Sequence, residues 1–175
     1  SFESFAIASL EDVYPSSRLQ NSLRFDVTTL ESGLLLNNGQ GQFVFSPLPS
    51  LSQITASFGV EILDLDNDGH LDVVLSQNSF APQLETGHFD SGQGLILMGR
   101  GNGQWSPAWP EESGFSVPGD AKSMVTLDLN RDGETDLLIA RNNDTLVAFS
   151  AKSGQEANKK PLLVHGSKRN PSAIG

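Results

Sequence analysis

The 175-residue sequence contains no cysteine. That excludes a disulfide scaffold, a thiolate zinc site and a cysteine nucleophile. Positive charge is scarce: 11 Lys and Arg stand against 21 Asp and Glu, a net charge of −10. Such a chain has no electrostatic footprint for nucleic acid or an anionic membrane surface, and suits a cation-binding protein. No apolar run approaches the roughly 18 residues that span a bilayer. No signal-peptide pattern is visible, and the chain starts Ser1-Phe2, which reads as a processing boundary. The three histidines, His70, His88 and His165, have no His or Glu four residues away, so a zincin helix is excluded. Nucleophile elbows, Walker A loops and Gly-x-Gly-x-x-Gly turns are also missing.

Glycine and proline are plentiful, at 17 and 9 residues, while charged residues make up only 18%. This balance favours many short strands and turns over long helices. An internal repeat organises them. Asp64-Leu65-Asp66-Asn67-Asp68-Gly69-His70-Leu71-Asp72 returns as Asp128-Leu129-Asn130-Arg131-Asp132-Gly133-Glu134-Thr135-Asp136. Val60-Glu61-Ile62-Leu63 and Met124-Val125-Thr126-Leu127 precede the loops, Val73-Val74-Leu75-Ser76 and Leu137-Leu138-Ile139-Ala140 follow them, and Asn78 and Asn142 come after. A second shared element precedes each loop: Gly33 to Phe43 and Gly94 to Trp105 are both an apolar strand, a Gly-rich turn and an aromatic. Each unit therefore reads as strand, Gly turn, aromatic strand, Pro-containing loop, strand, acidic loop, strand. Ser4 to Tyr14 is compatible with a strand or a helical turn.

Asp-x-Asp-x-Asp-Gly-x-x-Asp has the chemistry of a calcium loop. Calcium takes six to eight oxygens, and a tight curl brings alternate side chains onto one centre while glycine permits the sharp turn. The first ligand set is Asp64, Asp66, Asp68, the His70 carbonyl and Asp72. The second is Asp128, Asn130, Asp132, the Glu134 carbonyl and Asp136. These are not EF-hands: position 12 is Leu75 or Ile139 rather than Glu, and the flanks are strands. Trp105 reads as core by its match to Phe43. Trp109, between Pro107 and Pro110, is the freer aromatic. Glu111-Glu112 lacks the separation of a glycosidase pair. Asn143-Asp144-Thr145 is a glycosylation sequon.

The acidic strand-loop-strand element resembles the calcium-binding FG-GAP or VCBS repeat of integrin-alpha-like β-propellers. Phe58-Gly59 resembles the Phe-Gly that helps name the repeat, with Ser123-Met124 in the comparable place of the second unit. Leu36 to Phe43 is similar to the Gly turn common in such proteins. Val164 to Gly175, through Asn170, Ala173, Ile174 and Gly175, resembles the opening of an UnbV/ASPIC domain, as in cartilage-acidic-protein-like proteins. The resemblance implies an all-β fold of four-stranded antiparallel propeller blades. It divides the chain into blades over 1–153, a linker over 154–160 and the start of a truncated UnbV/ASPIC-like domain over 161–175. At 64 residues per repeat the chain holds fewer than three blades, so it is read as part of a larger ring, completed by another chain or by further copies.

The functional expectation is a secreted, non-enzymatic calcium-binding module. It would act at the cell surface, outside the cell or in the periplasm, in adhesion to protein or matrix. Alternatives are the carbohydrate-binding part of a secreted polysaccharide-active enzyme and a structural subunit of a surface assembly.

Overall fold

The structure is a computed structural model that describes residues 2–150. It contains two compact units, residues 1–30 and a larger unit beginning at Glu31. The first holds three single-turn helices, α1 (Phe2–Ala6), α2 (Leu10–Val13) and α3 (Ser16–Leu19). The segment compatible with a strand or a turn is therefore helical. The reason is local. The Asp12 N–H donates to Ser9 Oγ at 3.3 Å, and the Ser9 N–H donates to Asp12 Oδ2 at 2.8 Å. That reciprocal pair is a capping box, which starts α2.

The described residues of the larger unit form nine strands: β1 (Gly33–Asn37), β2 (Phe43–Pro47), β3 (Ser57–Leu63), β4 (Asp72–Gln77), β5 (Leu95–Gly99), β6 (Trp105–Ala108), β7 (Ala121–Leu127), β8 (Asp136–Arg141) and β9 (Val147–Phe149). A single-turn helix, α4 (Pro110–Ser113), follows β6. Every pairing is antiparallel, in sheets ordered β1-β2, β3-β4-β5-β6 and β7-β8-β9. The all-β architecture of antiparallel, propeller-like repeats is thus present.

The phase of the repeat differs from the sequence reading. An acidic hairpin joins the Gly-turn hairpin that follows it, β3-β4 with β5-β6, rather than the one that precedes it. Pro47 and Pro49, with the 3₁₀ turn Ser50–Gln53, separate β2 from β3. Proline cannot donate to a ladder and turns the chain out of its sheet. The four-stranded expectation holds for the central sheet, while the described residues supply two strands to the first sheet and three to the third. The Gly-turn hairpins also align differently. Asn37 pairs with Phe43 as Gly99 pairs with Trp105. Gly39 and Gly41 then match Gly101 and Gly103, all with positive φ.

The sheets stack through two cores. Side chains alternate across a strand, so Val74 and Ile96 face one core with Phe115, Val117, Met124, Leu137 and Ile139. Val73, Leu75, Leu95 and Leu97 face the other, with Leu48 buried beside them and Leu34 and Trp105 packed against it. Trp105 is half-buried against this core, whereas Phe43, the residue it matches, is exposed. Burial on both faces explains why β4 and β5 are apolar at successive positions.

Phe58-Gly59 has a specific packing role. A Cβ on Gly59 would lie 2.9 Å from the Met124 backbone nitrogen on β7. The absence of a side chain lets the two sheets approach. The ladder register places Gly59 opposite Ser76 and Ser123 opposite Ala140. The counterpart of Phe58-Gly59 is therefore Lys122-Ser123, one residue earlier than the sequence alignment gave. Lys122 Nζ lies 3.6 Å from the centre of the Phe58 ring, a cation–π contact between equivalent positions of successive repeats.

A buried polar joint ties the second sheet to the third. Asn78 Nδ2 donates to the carbonyls of Gly92 at 2.7 Å and Gly119 at 3.0 Å, and Asn78 Oδ1 accepts from the Gly92 N–H at 2.9 Å. Asp120 accepts from the Phe80 N–H at 3.2 Å and from Asn142 Nδ2 at 3.1 Å, and pairs with Lys122. Burial pushes the Asp120 carboxyl up, but the hydrogen bonds from Lys122, Asn142 and Phe80, with the Lys122 charge, outweigh it and hold the group below the usual carboxylate range. A depressed folded pKa contributes stability above the unfolded value, near 3.9, that is lost as pH falls through the folded value. The stability gap between the parent and Asp120→Asn is accordingly expected to narrow below about pH 4, as urea unfolding at pH 7 and pH 3.5 would measure. A gap independent of pH would refute the assignment.

Candidate metal centre

Each acidic loop connects two strands of one hairpin, β3 to β4 and β7 to β8. The loops fold by the same local hydrogen bonds. The Asp68 N–H donates to Asp64 Oδ1 at 3.1 Å and Asp66 Oδ1 at 3.2 Å. The Asp132 N–H donates to Asp128 Oδ1 at 3.1 Å and Asn130 Oδ1 at 2.9 Å. Gly69 and Gly133 N–H groups donate to the Oδ2 atoms of Asp64 and Asp128, both at 3.0 Å. His70 and Glu134 N–H groups donate to Asp68 and Asp132 Oδ1, both at 2.8 Å. Short acidic side chains thus substitute for a turn's backbone acceptors, as Asx residues do. The fourth and sixth loop positions are left-handed: Asn67 and Arg131 at φ 60° and 63°, and Gly69 and Gly133 at 88°. Arginine in that region carries a strain of about 1 kcal/mol.

Carboxylate oxygens of Asp64, Asp66 and Asp72 lie within 4.8 Å of one another. Two ligands held at about 2.4 Å from a shared calcium can stand no farther apart than this, so the donor set fits a hard cation. Asp68 is outside the trio; its Oδ1 is engaged by the His70 N–H. The His70 side chain is exposed. In the second loop Asn130 occupies the position of Asp66, and its Nδ2 donates to Asp132 Oδ2 at 2.7 Å. That loop accordingly has one carboxylate fewer.

The closing aspartates are the buried members. Asp72 Oδ2 accepts from the Leu65 N–H at 2.8 Å, and Asp72 Oδ1 accepts from the Gly99 N–H at 2.8 Å. Asp72 therefore joins its own loop to the end of β5. Asp136 Oδ2 accepts the equivalent bond from Leu129 at 2.8 Å. Asp136 Oδ1 is buried with no hydrogen-bond partner among the described residues. The equivalent oxygen of the first loop, Asp72 Oδ1, takes its bond from the hairpin that follows, so the two loops differ at this atom among the described residues. Sequence reasoning identified both aspartates but not the Gly99 donor, 27 residues from Asp72. A repeat pattern carries no signal for it.

Residues 27–75 match the FG-GAP-like repeat family. The matched span runs through β1, β2, β3 and the first acidic loop into β4. No curated protein matches the chain. The FG-GAP-like match stops before the second acidic hairpin, whose kinship with the first rests on the shared hydrogen bonds and register. The UnbV/ASPIC-like motif, the 154–160 linker and the 161–175 segment lie outside the described residues.

Other candidates are scattered. His88 stacks on Phe80, ring centroids 4.7 Å apart. Trp109 is exposed and caps α4, where its N–H donates to Glu112 Oε2 at 3.4 Å. Glu111 and Glu112 form the first turn of α4. Among the described residues no helix is long and apolar enough to cross a membrane.

Proposed function

We propose that the chain is a non-enzymatic, calcium-stabilised propeller module for protein or matrix recognition outside the cell. The tail from 161 is read as the opening of an UnbV/ASPIC-like domain. One observation carries the calcium reading: two loops 64 positions apart share one hydrogen-bond pattern that gathers side-chain oxygens, and carboxylate oxygens of three aspartates in the first lie within 4.8 Å of one another. Asp64, Asp66 and Asp72 would hold the first ion, with Asp68 and the His70 carbonyl closing the shell. Asp128, Asn130, Asp132, the Glu134 carbonyl and Asp136 would hold the second. The ion's role there is to neutralise carboxylates that otherwise repel one another. The chain's contribution is to hold the loops curled beside the ends of β3, β4, β7 and β8, presenting rigid surfaces to a partner.

Thermal unfolding after chelation, with calcium titrated back, tests this. An affinity near 10⁻⁴ M is typical of extracellular modules. At a hundredfold excess each site then contributes about 2.7 kcal/mol, or roughly 5–10 °C in Tm for a chain of this size. Asp64→Asn with Asp128→Asn should abolish the shift. A parent Tm indifferent to calcium would sink the proposal.

A further inference from the structure

We propose that Asn102-Gly103, in the turn between β5 and β6, is a self-modification site, at which the Gly103 nitrogen attacks the Asn102 amide and converts it to a carboxylate or an isoaspartyl link. Glycine lacks the Cβ that hinders such an attack, and the pair stands exposed at a hairpin tip. Asn102 Oδ1 accepts the Gln104 N–H at 3.0 Å, an Asx turn that folds the side chain back over its own backbone. The chemistry needs only water. A bond forms between the Gly103 nitrogen and Asn102 Cγ, and the nitrogen's proton passes to solvent. The Cγ–Nδ2 bond breaks, and Nδ2 leaves as ammonia. Water then opens the cyclic imide at either carbonyl. One opening leaves an aspartate at 102, and the other routes the chain through Cβ.

What singles out this pair is its nitrogen. The sequence has four Asn-Gly or Asp-Gly pairs: Asn38-Gly39, Asp68-Gly69, Asn102-Gly103 and Asp132-Gly133. In three of them a side chain holds the glycine N–H. Gly39 donates to Asn37 Oδ1 at 2.9 Å, and Gly69 and Gly133 donate to the Oδ2 atoms of Asp64 and Asp128, both at 3.0 Å. The Gly103 N–H has no hydrogen bond among the described residues. The attacking form is the deprotonated nitrogen, and a hydrogen bond from the N–H favours the protonated form. One such bond slows the attack about five- to tenfold. The amides themselves do not distinguish the two asparagines. Asn38 and Asn102 Nδ2 donate to Gln42 and Gln104 Oε1, at 3.0 and 3.1 Å. The modification acts on a turn that other contacts depend on. Gly99 pairs with Trp105 across it and is the donor that Asp72 accepts. An isoaspartyl link lengthens the backbone between Gly99 and Trp105 by one atom. An aspartate at 102 sets a carboxylate two residues from Arg100, whose guanidinium meets only the Ser106 hydroxyl among the described residues, at 3.2 and 3.1 Å.

Peptide mapping by mass spectrometry, on the folded chain aged in warm, mildly alkaline buffer, tests the proposal. Asn38-Gly39-Gln40 and Asn102-Gly103-Gln104 are the same tripeptide, so local sequence alone gives equal rates. In the folded chain Asn102 should lose its amide about five- to tenfold faster than Asn38, with aspartyl and isoaspartyl products. In urea the two rates should converge. Asn37→Ala frees the Gly39 N–H, so it should speed Asn38 by the same factor and leave Asn102 unchanged. Asn37 is exposed, and the variant should keep the parent's circular dichroism. An Asn102 that stays intact, equal rates in the folded chain, a difference that persists in urea, or an Asn38 indifferent to Asn37→Ala would each overturn the inference.

Discussion

Replacing Asp72 with alanine is expected to cost about 4 kcal/mol of folding stability, because charged hydrogen bonds contribute about 1.5–3 kcal/mol each and stranded partners are penalised. Asp72 is fully buried and accepts one backbone N–H on each oxygen, from Leu65 in its own loop and from Gly99 at the end of β5. Alanine would strand both donors at once. The loop would lose its closure, and β5 would lose its tie to the acidic hairpin. Asp136→Ala removes one such bond and also an oxygen that has no partner among the described residues. Its cost without calcium should be about half as large. Urea unfolding of both variants in chelator measures the difference. Equal losses would contradict the asymmetry between the loops, and losses under 0.5 kcal/mol, the range of plain surface substitutions, would reduce both to ordinary turns.

Asn78→Ala is expected to be comparably severe, at about 3–5 kcal/mol by the cost of leaving buried polar groups unpaired. Its side chain makes three hydrogen bonds, two buried ones to the backbone groups of Gly92 and a part-buried one to the Gly119 carbonyl. The backbone is left-handed at φ 87°, where asparagine is tolerated and alanine is strained by about 1–2 kcal/mol. Asn78→Gly separates the two effects. It removes the same hydrogen bonds but relieves the backbone, so it should be the less damaging by about 1 kcal/mol. Chemical denaturation of the pair provides the comparison. Equal destabilisation would assign no role to the backbone conformation, and a loss under 1 kcal/mol in both would remove Asn78 from the joint.

Both residues were visible in the sequence for reasons that differ from their structural roles. Asp72 stood out as the last position of a nine-residue pattern, and Asn78 as a residue that recurs at Asn142. The pattern named Asp72 as the carboxylate that closes the loop and gave no hydrogen bond to Leu65. It could not anticipate the Gly99 bond, which depends on β5 lying beside β4. Phe58-Gly59 was legible as a signature, yet the close approach of Met124 that excludes a Cβ at Gly59 becomes visible only when β3 and β7 are brought together. The second loop's one-carboxylate deficit was plain from Asn130. The lack of a partner for Asp136 Oδ1 among the described residues was not.

By itself the sequence determined the hairpins and the acidic loops. Strand periodicity, left-handed glycines and Asx bonds spanning two to five residues are local, so they are written in adjacent residues. Tertiary structure decided which hairpins share a sheet, which aspartate oxygen finds a donor, and where lysine meets the Phe58 ring. Those outcomes depend on which apolar faces pack together across tens of residues, and a local pattern holds no information about that choice.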